Sequence, residues 1–274
     1  MTKQSDTKTI HEFLAENPDV DVSGQWERFW NIHGKIADRI IQRFDAKLHP
    51  ISEGADYYTS PDGQMEGAFF GYTGNDVDWF VQSWLGNRKA SIIDMNINVA
   101  LGQETPVPNL MLIFGTVPNM LFYADYVART DVKVNEDYVN KYYGGEANQD
   151  YVEFRSNTDF VWSASHGPAI RGMQSPVCSS YITDLTDEHI DLCEAYLEKF
   201  VDRWFGWIDE AEKLPLEKRD AQQQYDFTYR EFTNRSDPMN VLAERVFGSE
   251  ESRHMLDRRG GLAQMDADRG KWRD

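Results

Sequence analysis

Asp237 is the carboxylate with the clearest local setting in the sequence. Pro238 follows it directly, and proline favours the first turn of a helix because its missing N–H would have no partner there. The apolar residues that follow share one helical face: Met239, Leu242, Val246 and Phe247. The spacing predicts a helix from Pro238, with Asp237 as its N-cap and Gly248 as a left-handed C-cap. Asp237 is therefore either a cap alone or a cap that also has a chemical role.

A second group of polar side chains lies in a stretch that alternates between polar and apolar residues, 90–100. Asp94, Asn96 and Asn98 share one face of the predicted strand, and apolar side chains share the other. The neighbouring predicted strands, 110–114 and 120–123, are apolar on both faces. The polar row then has two interpretations, which the sequence leaves open. It faces water, as is usual in an antiparallel sheet, or it lines a cavity with a polar edge.

Several kinds of catalytic site have no matching motif. Cys178 and Cys193 lack CxxC spacing, and the six histidines lack an HExxH pattern, so no metal site is expected. There is no GxGxxG or phosphate-binding loop, so no bound nucleotide cofactor is expected. Ser163 to His166 places a serine near a histidine, but outside a nucleophile elbow. A redox enzyme with this sequence would need electrons from a partner.

Composition restricts the partners and the compartment. The 274 residues carry a formal net charge of −18, which argues against nucleic acid and against an anionic membrane surface. No stretch has the apolar length of a membrane span. With two cysteines and no disulfide pattern, a reducing compartment is the simplest assumption. The polar N-terminus shows no signal-peptide pattern, so a cytoplasmic location is expected.

The order of predicted elements defines the fold class. A long amphipathic helix precedes several meander strands, and further helices follow, so helices should cover an antiparallel sheet. His33 lies on the apolar stripe of the first helix and is expected to be a satisfied core histidine. Residues 1–274 are expected to form one domain, with mobile ends at 1–9 and 261–274.

Four motifs in order resemble the ferredoxin-dependent bilin reductases, a group that includes red chlorophyll catabolite reductase. They are the Ser-Asp-Pro…Leu…Phe-Gly pattern at 236–248, Asn96 with 108–113, the stretch 129–143, and the stretch 170–176. The last two are closest to the chlorophyll-catabolite branch. Together the motifs span about residues 90 to 248.

This resemblance implies a three-layer α/β/α sandwich with a central antiparallel sheet. It also implies an open-chain tetrapyrrole, such as biliverdin or a chlorophyll catabolite, between the sheet and the C-terminal helices. Ferredoxin would deliver single electrons to a protein without a bound redox cofactor, and side chains would give protons to radical intermediates.

The resemblance also assigns roles to individual residues. Asp237 matches the proton-donating aspartate at a helix start, and Asn96 matches a sheet residue that contacts the chromophore. The family's second strand carboxylate falls at Ile113, which can neither donate a proton nor pair with a pyrrole N–H. Asp94 or Glu66 could replace that carboxylate.

Two further residues are candidates for substrate binding in the 170–176 motif. Arg171 suits a substrate propionate, because a guanidinium binds a carboxylate with two hydrogen bonds; an ordinary ion pair within the loop is the alternative. Gln174 lies in the same motif.

Ferredoxins are acidic, so docking would need a local basic face. The candidates for it are Lys213, Lys218, Arg219, Arg253, Arg258 and Arg259. Two other functions remain open at this stage: a bilin-binding or carrier protein without reductase activity, and an unrelated small-molecule enzyme on the same scaffold. The oligomeric state is open too, a homodimer included.

Overall fold

The computed structural model describes residues 22–50, 57–87, 92–117, 119–165, 167–262 and 264–265. The strands are β1 (Lys47–Leu48), β2 (Tyr57–Thr59), β3 (Glu66–Gly74), β4 (Val77–Gly86), β5 (Ile93–Leu101), β6 (Asn109–Val117), β7 (Asn119–Val127), β8 (Val161–Trp162) and β9 (Ser179–Thr183). The helices are α1 (Ser23–Phe44), α2 (Glu136–Tyr143), α3 (Gly145–Arg155), α4 (Pro168–Met173), α5 (Asp187–Glu210), α6 (Leu216–Ser236), α7 (Asn240–Phe247) and α8 (Ser249–Gly260). Residues 1–9 and most of 261–274, the ends expected to be mobile, lie outside the described residues. Met265, which belongs to the second of these ends and is described, is buried.

The strands form a single antiparallel sheet in the order β1-β3-β4-β5-β6-β7-β9-β8, and β2 also pairs with β3. The five strands from β3 to β7 are consecutive neighbours, which is the meander that the sequence predicts. Helices pack on both faces of the sheet. The three-layer α/β/α sandwich is therefore confirmed.

One face of the sheet, which we call the core face, is closed by α1 and α5. Apolar residues recur along α1 at helical spacing, so that one side of the helix is buried. Phe29 of α1 stacks on Phe114 of β6 with ring centroids 4.7 Å apart, and Phe200 of α5 stacks on Tyr126 of β7 at 3.6 Å. Burial of these aromatic rings holds both helices on this face.

His33 belongs to this core, as predicted, but it is not satisfied by hydrogen bonds. Its ring is fully buried and tilts against Phe114 at 5.3 Å between centroids. Neither ring nitrogen has a hydrogen-bond partner among the described residues. Burial lowers the pKa of His33 to about 3, so the ring is neutral.

The opposite face, which we call the cleft face, carries Asp94, Asn96 and Asn98. Helix α8 covers its β3–β4 end, where the Trp79 indole N–H donates to the carbonyl of Arg258 at 2.9 Å. A separate apolar cluster lies beneath the helix. Its members are Tyr58, Met65, Phe69, Trp79, Val81, Ala100, Phe247 and Met255.

A buried ion pair fixes α6 over the same face. The Arg129 Nη2 atom lies 2.6 Å from Oδ2 of Asp226, and both side chains are almost completely buried. Arg129 also donates to the carbonyls of Thr105 at 2.7 Å and Gly102 at 2.9 Å. Because those carbonyls belong to the β5–β6 connection, the pair ties α6 to the sheet through hydrogen bonds that satisfy the buried charge.

Three helices, α3, α4 and α8, were not predicted from the sequence. Gly144 does end α2, but α3 begins directly at Gly145, whose φ of 54° lets the chain turn into a new helix. Helix α8 follows α7 after Gly248. In the part of the chain that the structure describes, no helix combines the length and apolar character needed to cross a bilayer.

Candidate active site

The cleft face places four strands side by side at the level of Asn96. Asn96 pairs with Ile113 on β6, Ile113 pairs with Tyr123 on β7, and Tyr123 pairs with Ser180 on β9. Directly opposed residues in antiparallel strands point to the same face. Asn96, Ile113 and Tyr123 therefore form one row, with Asp94 on one side of it along β5 and Asn98 on the other.

Part of this face is open to solvent. Met111, Ile113, Leu121 and Tyr123 are partly exposed on β6 and β7. Their neighbours on the core face, such as Leu112 and Phe122, are completely buried. We interpret this open part as the floor of a cleft between the sheet and the C-terminal helices, with Asp94 and Asn98 partly exposed at its edge and Asn96 buried between them.

Asp94 is the cleft carboxyl at the β5 end of this floor. Burial raises its pKa to about 6, with a smaller contribution from the negative charge of Asp237. The positive charge of Arg259 and a hydrogen bond from the Asn96 side chain act in the opposite direction. A carboxyl with this pKa can hold a proton near neutral pH and release it.

Asp237 lies on the helical side of the same site. Its Oδ1 accepts from the Met239 N–H at 2.9 Å, and its Oδ2 accepts from Nη2 of Arg259 at 2.9 Å. Asn234 supports the turn, because its carbonyl accepts from the Asn240 side chain at 2.6 Å. The charges of Asp237 and Arg259 both act on the pKa of Asp94, so the three side chains are electrostatically coupled.

The predicted helix start is wrong by two residues. Helix α7 begins at Asn240 with Met239 as its N-cap, and Asp237 is instead the C-cap of α6, directly after its last residue. The carboxylate caps the turn between the helices, since it accepts from a backbone N–H two residues on. Gly248 has the expected positive φ of 87°, but its ψ of 162° is extended and not left-handed helical.

The predicted alternative carboxylate Glu66 does not reach the cleft. Glu66 lies on β3 and points to the same face as Ala68 and Phe70, because alternate residues of a strand share a face. That face is the core face, and the Glu66 side chain is exposed at its edge. The register therefore places it on the opposite side of the sheet from Asp94.

The two candidates of the 170–176 motif lie in and after α4. Arg171 is exposed and donates to the carbonyl of Ser165 at 2.6 Å, a contact within its own loop. Gln174 ends α4 and is partly buried. The loop reaches the cleft wall at Gly167, where an added Cβ would lie 3.0 Å from Pro238.

Asp125 was not predicted as a site residue. The sequence prediction ended the seventh strand at Tyr123, whereas β7 continues to Val127, so Asp125 lies on the cleft face two residues further. Its Oδ2 accepts from the Tyr123 hydroxyl at 3.1 Å and from the Ser175 N–H at 3.2 Å. The two-residue alternation of Leu121, Tyr123 and Asp125 was the signal that could have revealed it.

Half of the expected basic face is occupied by internal ion pairs. Lys213 and Arg219 both pair with Glu104, and Arg259 pairs with Asp237. Lys218 and Arg253 are exposed. Arg259, named from the sequence only as a docking residue, is in fact part of the cleft wall.

The fold matches a known class of structure. Selenomethionine phytochromobilin synthase from tomato, solved in complex with biliverdin, has a similar fold with a TM-score of 0.72. The similarity covers 83% of this chain and 80% of that chain at 12% sequence identity, so it concerns the fold alone. No curated protein sequence matches the chain.

A model of the red chlorophyll catabolite reductase family matches residues 31–225. The chain belongs to this family. The match contains Asp94, Asn96, Ile113 and Asp125 and ends before Asp237. Family and fold together point to a reductase that acts on a bilin or a chlorophyll catabolite.

Proposed function

We propose that the protein reduces an open-chain tetrapyrrole bound on the cleft face, with single electrons supplied by ferredoxin. The floor of the cleft is apolar at Ile113, Met111 and Leu121, which suits the flat faces of a pigment. The amide of Asn96 lies within the same row and can pair with a polar edge of the ligand.

Asp94 is our proposed proton donor, because it lies on the cleft face beside Asn96 and burial there raises its pKa. Asp237 is the donor that the family resemblance implies. Both of its carboxylate oxygens already accept hydrogen bonds, from Met239 and Arg259. We therefore assign Asp237 to holding Arg259 beside Asp94 and setting the acidity of that group.

The test is pigment reduction by wild-type protein and by Asp94→Asn. Biliverdin and a chlorophyll catabolite are each mixed with the protein and then with a ferredoxin reducing system, and absorption is followed. A lost general acid should slow reduction by about 10²–10⁴-fold without loss of pigment binding. Asp38→Asn, an exposed aspartate of α1 behind the sheet, is the matched control. Equal rates for Asp94→Asn and wild type would remove Asp94 from the mechanism.

A non-redox pigment carrier is the second candidate function, and Ile113 is the residue that favours it. Ile113 lies in the centre of the cleft floor, between Asn96 and Tyr123, where the family resemblance implies a carboxylate. A carrier would bind biliverdin and leave its absorption spectrum unchanged when reduced ferredoxin is added. Bleaching of the bound pigment would exclude this alternative.

A further inference from the structure

Asp125 is a buried carboxyl with an unused oxygen. The residue is 1% exposed, and its Oδ1 has no hydrogen-bond partner among the described residues. Its other oxygen accepts from both Tyr123 and Ser175. An ionised carboxylate left half unpaired in the interior is costly, so the protonated form is favoured.

The groups that act on Asp125 from each neighbouring element are neutral. They are the Tyr123 hydroxyl on its own strand, the Cys178 thiol before β9, the Tyr229 hydroxyl on α6 and the Tyr143 hydroxyl on α2. Burial raises the pKa of Asp125 to about 6, and the smaller effects of Ser175, Tyr123 and Cys178 lower it less than burial raises it. This setting differs from that of Asp94, which interacts with a cation.

Tyr123 connects Asp125 to the open part of the cleft. Asp125 itself is closed off, whereas Tyr123 is partly exposed in the floor next to Ile113. Asp94 and Asp125 lie two strands and four residues apart by register, which is on the order of 17 Å between Cα atoms for ordinary strand spacing. The cleft thus has an acid at each end.

We propose that Tyr123 and Asp125 form a second proton-delivery pair, which serves the end of the bound pigment away from Asp94. The inference rests on the proposed function, because it needs a reducible ligand over Tyr123. Tyr123 would contact the pigment, and Asp125 is a positioning residue that stores the proton behind it.

The step balances with one electron from reduced ferredoxin. The electron converts the pigment to a radical anion, the Tyr123 O–H bond breaks, and its proton forms a new bond to the pigment. In its acid form Asp125 carries the proton on Oδ2 and donates it across the 3.1 Å contact to the phenolic oxygen, so that the Tyr123 O–H is directed at the pigment. The Asp125 O–H bond breaks as its proton passes to the phenolic oxygen, which leaves a neutral pigment radical and an Asp125 carboxylate that accepts from the restored Tyr123 hydroxyl. Desolvation raises the pKa of Tyr123 well above its usual value, so a free phenolate is costly and the two transfers are coupled.

The experiment follows the bound radical after reduction by ferredoxin, with electron paramagnetic resonance and absorption, in wild type, Asp125→Asn and Tyr123→Phe. The asparagine oxygen can keep the hydrogen bonds from Ser175 and Tyr123 but cannot supply a proton. Asp125→Asn should bind pigment with unchanged affinity, and both variants should prolong the radical of the bound pigment by about 10²-fold, with loss of the solvent deuterium effect on its decay. Asp131→Asn, an exposed aspartate six residues further along the chain, is the matched control.

Each result decides between the proposals. Wild-type radical decay in Asp125→Asn would overturn the pair, and slow decay in that variant with normal decay in Tyr123→Phe would overturn the relay through Tyr123. If the pigment radical decays slowly in Asp94→Asn alone, the proposed function stands and the Tyr123–Asp125 pair is refuted as a second proton donor. If the wild-type protein binds pigment but never reduces it, both the proposed function and the second proton-delivery pair are refuted.

Discussion

Arg259→Gln should move the pH dependence of reduction to higher pH. Arg259 pairs with Asp237, and its positive charge lowers the pKa of Asp94, which burial brings to about 6. Without the charge, the proton on Asp94 should be held more tightly. The variant should therefore keep the acid form of Asp94 at a pH where the wild-type protein has lost it.

The size of the effect follows from the pKa of Asp94. An opposite charge nearby lowers a carboxyl pKa by about one to three pH units, so a loss of Arg259 should raise the value from about 6 to about 7 at least. At pH 8 the protonated fraction would then rise from about 1% to about 9%, whereas at pH 5 both proteins would be about 90% protonated or more. The rate ratio of variant to wild type should be about ten or more at pH 8 and about one at pH 5.

The assay is single-turnover reduction of bound pigment at each pH, reported as that ratio, so that the pH dependence of the ferredoxin system cancels. Asp237→Asn supplies the opposite sign, because the negative charge of Asp237 raises the pKa of Asp94. The pH profile of the reduction rate of Asp237→Asn should therefore move to lower pH, and the variant should remain active at acidic pH. A profile of Arg259→Gln that stays in place or moves to lower pH would refute the coupling, and inactivity of Asp237→Asn at every pH would restore Asp237 as the donor.

Three further changes test the stability of the fold. Asp226→Ala leaves Arg129 buried without its partner and should lower the free energy of unfolding in urea by about 3–5 kcal/mol. His33 has a pKa of about 3 in the fold against 6.5, so stability is full above about pH 6.5 and falls toward pH 3; His33→Phe should flatten that fall. Asp94 has a pKa of about 6 against 3.8, so its contribution is full below pH 3.8 and is lost as pH rises through 6. Asp94→Asn should therefore stabilise the protein by about 1–3 kcal/mol at pH 8 and by little near pH 4.

Controls separate these effects from general damage. The double change Arg129→Met with Asp226→Leu should recover most of the stability that Asp226→Ala loses, because it removes both buried charges together. An unfolding curve of His33→Phe with the wild-type pH dependence would contradict the buried neutral histidine. An Asp94→Asn protein less stable than wild type at pH 8 would contradict the raised pKa.

The sequence was sufficient for most of the fold because the patterns of burial are strong. The alternation at Asp94, Asn96 and Asn98 predicted the strand and both of its faces correctly. Helix α1 followed from its apolar stripe. Helix α8 has little apolar pattern of its own and is held by contacts such as the one from Trp79, so no local signal predicted it.

The site could be predicted only in part, because its members come from distant segments. Asp94 and Asn96 were found from one strand, and Asp237 from one turn. Arg259 joins them through α8 and has no local motif, whereas Asp125 lies in the continuation of the alternation along β7, which the predicted strand ended too early to include. Register also decides against Glu66, since a shift of one residue changes the face on which a strand side chain lies.

The two cleft acids show why this site must be held by the rest of the fold. Asp94 and Asp125 each have a pKa raised to about 6, so ionised forms at neutral pH oppose folding. A sheet selected for stability alone would carry apolar residues there, as the core face does at Leu112 and Phe122. The packed core face supplies stability elsewhere, which lets the cleft retain carboxyls whose raised pKa keeps them protonatable near neutral pH.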